Sequence, residues 1–332
     1  MPIRRRISVG FTSRLRVLRG LAMVKAGAAV LVLGLLAGPA LAQSEQAFQQ
    51  CEGEQVATPD ARIAACTALI ASGELNPTNL AAAYDNRGVA YAAERRFDLA
   101  LADYAQATTL NPDDATAFDN QGLAFESEGQ HDRAIASYDQ SIKLNPGRAA
   151  TYDDRGLAYA GKGDYGRAIA DYGKALALAP SSITYYDRGN AYAAEQQYDA
   201  AIVDYDAALK LDPGSAAVLN NRGLAYAGKS QYDRAVADYD AAIKLDPSSA
   251  FAFNNRGLAK AAQGHDKAAI ADYDQAIKLD PNYAAAFYNR GLAKQRSGDK
   301  AGSAGDLAKA HQLDPNLRQI ANAPGISTAP PR

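Results

Sequence analysis

The chain has 332 residues, with 35 Lys and Arg against 37 Asp and Glu, two cysteines, two methionines and no tryptophan. Hydrophobic residues make up 48% and charged residues 22%, the balance of a folded chain rather than a disordered one. Seven of the basic residues and none of the acidic ones fall within residues 1–42, so residues 43–332 carry a formal charge of −9. That excludes a nucleic-acid binder working through a basic footprint. It suits a neutral or basic partner, and equally a plain solvated surface.

Residues 1–42 begin with Arg4, Arg5, Arg6, Arg14, Arg16, Arg19 and Lys25. An apolar run, Ala26–Ala37, comes next, then Gly38-Pro39 and Ala40-Leu41-Ala42. Basic start, short apolar run and small residues before a cleavage point read as a secretory signal peptide cut after Ala42, which predicts a periplasmic or secreted protein. The run is short and Gly-rich for a membrane span, so no stable anchor is expected after cleavage; an uncleaved anchor is the alternative. No Cys stands at the cleavage point, which argues against a lipoprotein anchor. Met23 would open a compact leader and competes with Met1 as the start.

Residues 43–80 hold both cysteines, Cys51 and Cys66. Ser44–Glu52 and Asp60–Ser72 read as two helices, the second with Asp60 as N-cap after Pro59. An even cysteine pair in an exported chain reads as a disulfide, here stapling a degenerate first helix pair that closes one end of the core. No His and no second Cys pair accompany them, so a metal or redox role lacks its partners.

From Ala81 to Asn316 the chain repeats itself. Gly88, Gly122, Gly156, Gly189, Gly223, Gly257 and Gly291 are spaced by 34 residues, with one step of 33, and the prolines from Pro112 to Pro315 keep the same steps. The unit Ala216–Ser249 shows what one repeat does. Leu219, Gly223 and Tyr226 share one helical face; from Tyr232 on, Ala235, Tyr239, Ala242 and Leu245 share another. Gly228–Gln231 makes the turn between the two helices, and Asp246-Pro247 stops the second. Each unit is therefore an antiparallel helix pair. Small residues recur where Gly223, Ala235 and Ala242 stand, so two backbones approach closely there. Tyr104, Tyr138, Tyr172, Tyr205, Tyr239 and Tyr273 recur in the second helix and fill the space between pairs. The short step lies between Pro180 and Pro213 and predicts a local change in twist. Lys260 and Lys294 replace an aromatic in the last two units, and Ser303 and Leu307 depart from pattern in the seventh, as terminal repeats do. Residues 317–332 read as a short cap and a Pro- and Gly-rich disordered tail.

Period, glycine, both alanines, aromatics and terminal proline fall in register over seven units, and the chain resembles the tetratricopeptide repeat (TPR) family of exported bacterial type. The resemblance implies an all-α solenoid, a right-handed superhelix of antiparallel helix pairs with the first helices lining a concave face. It also implies protein or peptide binding rather than catalysis. The inner rows carry Asp, Asn and Leu, for example Leu224 and Leu258, instead of the converging Lys and Arg of the family's chaperone-tail clamps, so that activity is not carried over.

Two rows carry chemistry. Arg87, Arg155, Arg188, Arg222, Arg256 and Arg290 precede the repeat glycine, and each has an Asp sixteen residues on, from Asp103 to Asp306. In the second unit both are missing, replaced by Gln121 and Ser137, which points to pairing across the two helices of one repeat; a row of ligand-binding arginines is the alternative. Two residues before each glycine stand Asn86, Asn120, Asp154, Asp187, Asn221, Asn255 and Asn289. The resemblance puts this row on the concave face, where it is similar to the asparagine ladder of the repeat domain of O-linked N-acetylglucosamine transferase. Asn offers a peptide unit both donor and acceptor; a solvated face or hydrogen bonds within the array are the alternatives. The neighbouring row runs from Asp85, Asp119 and Asp153 to Tyr186, Asn220, Asn254 and Tyr288, a gradient that would place a ligand's basic part toward the N-terminal units.

No catalytic residue, metal-ligand spacing or cofactor motif stands out; His131, His265 and His311 lack partners, and Asp238-Tyr239-Asp240 belongs to the helix pattern. The expectation is a non-enzymatic periplasmic scaffold gripping an extended peptide or partner helix. A structural subunit of an envelope complex, using its convex face or ends, is the alternative.

Overall fold

A computed structural model describes residues 39–53 and 58–317. Among them are sixteen α-helices and no strand. The leader expected over residues 1–42 lies outside the described residues up to Gly38, and the expected tail lies outside them from residue 318. No helix among the described residues is long and apolar enough to cross a membrane.

The first pair is α1 (Pro39–Glu52) and α2 (Pro59–Ser72). Cys51 and Cys66 are disulfide-bonded, with Cα atoms 4.8 Å apart, and both are buried. The N-cap of α2 is Thr58, not Asp60: its hydroxyl accepts from the Ala61 N–H, and Pro59 occupies the first helical turn, where a missing N–H costs nothing. Arg62 reaches back from α2 to the C-terminal end of α1. Its Nε donates to the Cys51 carbonyl at 2.9 Å and its Nη2 to the Glu52 carbonyl at 3.3 Å, satisfying acceptors that a helix end leaves open.

Seven further pairs complete the array. The first helices are α3 (Pro77–Ala93), α5 (Ala115–Ser127), α7 (Ala149–Gly161), α9 (Ser182–Ala194), α11 (Ala216–Gly228), α13 (Ala250–Ala262) and α15 (Ala284–Arg296). The second helices are α4 (Phe97–Leu110), α6 (His131–Leu144), α8 (Tyr165–Leu178), α10 (Tyr198–Leu211), α12 (Tyr232–Leu245), α14 (Asp266–Leu279) and α16 (Lys300–Leu313). Side-chain caps start most first helices: Asn76, Asp114, Ser181, Ser215 and Ser249 each accept a backbone N–H of the first turn. The turn inside each pair passes through a left-handed residue. Gly129, Gly163, Gly264 and Gly298 supply it in four repeats, while Arg95, Gln196 and Ser230 hold φ of 61°, 62° and 59° in the other three.

Close approach explains the invariant glycine. A Cβ on Gly223 would lie 2.7 Å from Tyr239 Cε1, and Gly88, Gly156 and Gly189 face Tyr104, Tyr172 and Tyr205 as tightly. Tyr104, Tyr205, Tyr239 and Tyr273 fill the seam within their pairs and also pack on the next first helix, Tyr239 on Ala259 and Tyr273 on Ala293. In the seventh repeat Leu307 replaces the ring and stands 3.0 Å from the same point on Gly291. Leu245 departs from the expected buried face. As the last residue of α12 it is 49% exposed, and Leu211 and Leu279 at the same position are 55% and 40% exposed.

The chain divides into two compact units, one ending at Leu178 and the other running from Ala179. The boundary coincides with the short step before Pro213. Each unit is a stack of helix pairs with its own core, carried in the N-terminal unit by residues such as Tyr104 and in the C-terminal unit by residues such as Tyr205 and Tyr239.

Candidate functional site

The Arg–Asp rows join the two helices of each repeat. Arg222 Nε and Nη2 grip Asp238 Oδ2 and Oδ1 at 2.8 and 2.6 Å, and Arg87, Arg155, Arg188, Arg256 and Arg290 do the same with Asp103, Asp171, Asp204, Asp272 and Asp306. In the second repeat the Ser137 hydroxyl donates to Gln121 Oε1 at 2.8 Å, so a neutral pair fills the same place. A second set of carboxylates, not singled out by sequence reasoning, ties one repeat to the next. Arg155, Arg222, Arg256 and Arg290 each use Nη1 on Asp139, Asp206, Asp240 and Asp274 of the preceding second helix. For Asp206, Asp240 and Asp274 the signal was present in the Asp-Tyr-Asp triplet, whose second Asp stands sixteen residues before the next arginine. With two carboxylates on it, the Arg222 guanidinium is held well above its ordinary pKa, chiefly by the Asp238 hydrogen bonds.

Lys260 and Lys294 also find their reason here. Lys260 Nζ lies 2.8 Å from Asp272, and Lys294 Nζ 2.9 Å from Asp306, so the last two repeats carry neutral four-charge clusters of two cations and two carboxylates. They are compensated sites rather than decay of the array. None of the arginines in this row is free to hold a ligand by its fork.

The amide row lies on the first helices, and much of it ties consecutive first helices together. Asn120 Nδ2 donates to both oxygens of Asp85 at 3.1 and 3.2 Å. Asn255 donates to Asn220 Oδ1 at 3.0 Å, Asn289 to Asn254 Oδ1 at 2.9 Å, and Asn221 to the Tyr186 hydroxyl at 3.0 Å and Asn190 Oδ1 at 2.8 Å. Asn86 accepts from Arg62 Nη2 at 2.8 Å. Asn120, Asp154 and Asn255 are buried; Asn86, Asp187, Asn221 and Asn289 remain partly exposed. Asn289 also lines a cavity of about 320 Å³ with Leu258, Ala261, Ala262, Tyr273, Leu292 and Arg296, all on the C-terminal unit.

On the N-terminal unit the adjoining row is acidic. Burial raises the Asp85 carboxyl to about 7, against the Asn120 hydrogen bond and the charges of Arg62 and Arg148. Asp119 is 1% exposed and also raised by burial, with Arg148 Nη2 2.8 Å from its Oδ2. Burial lowers the Arg62 guanidinium, which Asp85 partly restores. Sequence reasoning passed over Arg62 and Arg148 because each belongs to one repeat alone. Among the described residues no group of three or more His, Cys, Asp or Glu is placed to hold a metal ion.

Two kinds of likeness define the class. Profiles described as TPR repeat match residues 189–230 and 260–298, and profiles described as tetratricopeptide repeat match 216–249, 86–149 and 120–183. Together they cover more than half of the chain, which belongs to the tetratricopeptide repeat family, whose members are protein-interaction scaffolds. Among solved structures, the C-terminal part of a TPR repeat-containing protein from Cytophaga hutchinsonii is 21% identical over 74% of this chain and 97% of its own, with a TM-score of 0.59. A tetratricopeptide repeat protein from Parabacteroides merdae is 19% identical over 76% and 99%, with a TM-score of 0.55. YrrB, described as a TPR protein with an unusual peptide-binding site, is 26% identical over 55% and 95%, with a TM-score of 0.49. The first two share the all-α repeat fold. No curated protein matches the chain.

Proposed function

We propose that the protein is a non-catalytic scaffold of the periplasm that grips an extended peptide or partner helix along the face built by its first helices. The observation that carries this reading is the cavity lined by α13, α14 and α15. Leu258, Leu292 and Tyr273 give it apolar walls, and Arg296 and partly exposed Asn289, whose Nδ2 is shared with Asn254, stand at its side. Its volume suits one or two side chains of a bound segment, and the few polar groups on an apolar wall are the usual make-up of a binding site. Export rests on the basic, apolar and small-residue pattern of residues 1–42, and the Cys51–Cys66 disulfide fits an oxidising compartment. The acidic balance beyond residue 42 speaks for a protein partner over nucleic acid.

The test is an in-cell crosslinking pull-down with the parent and an Asn221→Ala/Asn289→Ala variant, both partly exposed positions chosen over buried Asn255. Capture by the parent and loss by the folded variant is the expected result. Equal capture by both refutes the first-helix reading. A second reading, a structural subunit docking by its other face, draws on the half-exposed leucines Leu211, Leu245 and Leu279, which recur at the ends of second helices. Substituting those three with Ser separates the two readings.

A further inference from the structure

We propose that Asp85 and Asp119, on the first-helix face of the N-terminal unit, receive the cationic side chains of a basic peptide segment, and that Arg148 occupies the Asp119 place until the segment arrives. The inference rests on the peptide-binding reading above and names its ligand class. The two carboxylates stand at the same register on α3 and α5, followed by Asp153 on α7, and the matching positions of the C-terminal unit are Tyr186, Asn220, Asn254 and Tyr288, so the charge belongs to this unit.

Arg148 shows what chemistry the place accepts. It holds the N-cap position of α7, where Asp114, Ser215 and Ser249 of other repeats cap their helices, yet its side chain makes no capping bond. The guanidinium instead meets Asp119 Oδ2 at 2.8 Å and the Thr116 hydroxyl at 3.4 Å, and stays 22% exposed. The grip is one-sided. Asp119 Oδ1 is buried without a hydrogen bond, and so is Thr151 Oγ1, which stands near enough to hold the Asp119 carboxyl down but short of a formed bond. A buried carboxylate oxygen without a donor is costly, and a guanidinium arriving squarely satisfies both oxygens at once. An incoming arginine therefore replaces what Arg148 offers and adds the bond that Arg148 leaves unmade. Asp85 supplies a second acceptor one repeat away: its oxygens share a single Asn120 amide, and Arg148 and Arg62 reach it only through space.

The experiment is a titration of the full chain with fluorescein-labelled octa-arginine at physiological salt, followed by anisotropy. Asp119→Asn is expected to weaken binding about tenfold, the order of one charge-assisted contact. A charge-matched control, Asp98→Asn at an exposed position, is expected to stay within about twofold, since screened surface charge contributes little. Arg148→Ser restores the cap that Ser215 and Ser249 make and clears the place, so it is expected to tighten binding; unfolding cannot mimic a gain. The inference is overturned if Arg148→Ser leaves folded protein with unchanged or weaker binding, or if the control loses as much as Asp119→Asn. If octa-arginine ignores all these positions while the pulled-down partner still depends on Asn221 and Asn289, this inference alone falls. If the pull-down fails too, the peptide-binding reading falls with it.

Discussion

Replacing Arg222 with Gln or Asp238 with Ser breaks the interhelical fork of the fifth repeat, and the structure sets the size of the effect. Asp238 is 6% exposed, and its side chain accepts two bonds from Arg222 at 2.8 and 2.6 Å. Stranding a buried charge by removing its partner costs about 3–5 kcal/mol. The Arg222 side chain is 21% exposed and keeps Asp206 at 2.5 Å, so Asp238→Ser falls below that range, at about 2 kcal/mol, whereas Arg222→Gln strands the more buried member and costs about 3 kcal/mol. The double variant reproduces the Gln121–Ser137 pair that the second repeat uses. It is expected to lose about 2–3 kcal/mol less than the two single changes summed, a coupling typical of residues that share a network. Urea denaturation followed by circular dichroism measures this, with the slope checked for constancy because repeat arrays unfold in parts. A coupling below about 0.5 kcal/mol would refute the pairing as a source of stability.

Other changes act through single contacts. Asp85 has a folded carboxyl raised to about 7 from 3.8, so the folded state holds its proton more tightly than the unfolded one. The contribution of this group is therefore fullest at acid pH and falls as pH rises from about 4 to 7, by at most about 4 kcal/mol, and Asp85→Asn should remove that part of the pH dependence and melt later than the parent at pH 8. Gly223→Ala puts a Cβ 2.7 Å from the Tyr239 ring and should cost about 1–3 kcal/mol, while Gly214→Ala, with nothing nearer than 3.6 Å, should be close to neutral in the same melt. Gln196→Gly and Ser230→Gly relieve left-handed backbone and should each raise stability by about 0.5–1 kcal/mol; a lower melting temperature would contradict the turn geometry. Reducing Cys51–Cys66 opens a 15-residue separation and should remove about 3 kcal/mol, read as faster hydrogen exchange confined to α1 and α2.

The repeat made the fold legible. A period of 34, small residues at fixed places and Asp-Pro stops are local signals, and α11 and α12 run over the residues that their periodicity predicts. The Arg222–Asp238 pairing was legible because one repeat lost both members together. Other features were hidden by the same regularity. Asp206 and Asp240 look like helix surface until the next repeat places an arginine over them. Leu245 fits an apolar stripe in the sequence and ends up half-exposed, because α12 stops at that residue. Thr58 outranked Asp60 as a cap because Pro59 starts α2 one residue earlier than the charge pattern suggests.

The amide row shows why a face cannot be read as a binding surface from residue type alone. A ladder of Asn spaced by one repeat matches an extended peptide in chemistry, but it matches the neighbouring repeat equally well. Asn120, Asn221, Asn255 and Asn289 each give their Nδ2 to a residue of the preceding repeat. A donor engaged within the array is not available to a ligand without an exchange of bonds, and a buried one only once what covers it moves aside. The units differ instead in two places: carboxylates on α3 and α5, the second met by Arg148, and an apolar-walled cavity beside Asn289 on α13, α14 and α15. The two places work by different physics. Salt would weaken a contact at the first far more than at the second, because screening acts on charge and not on buried apolar area.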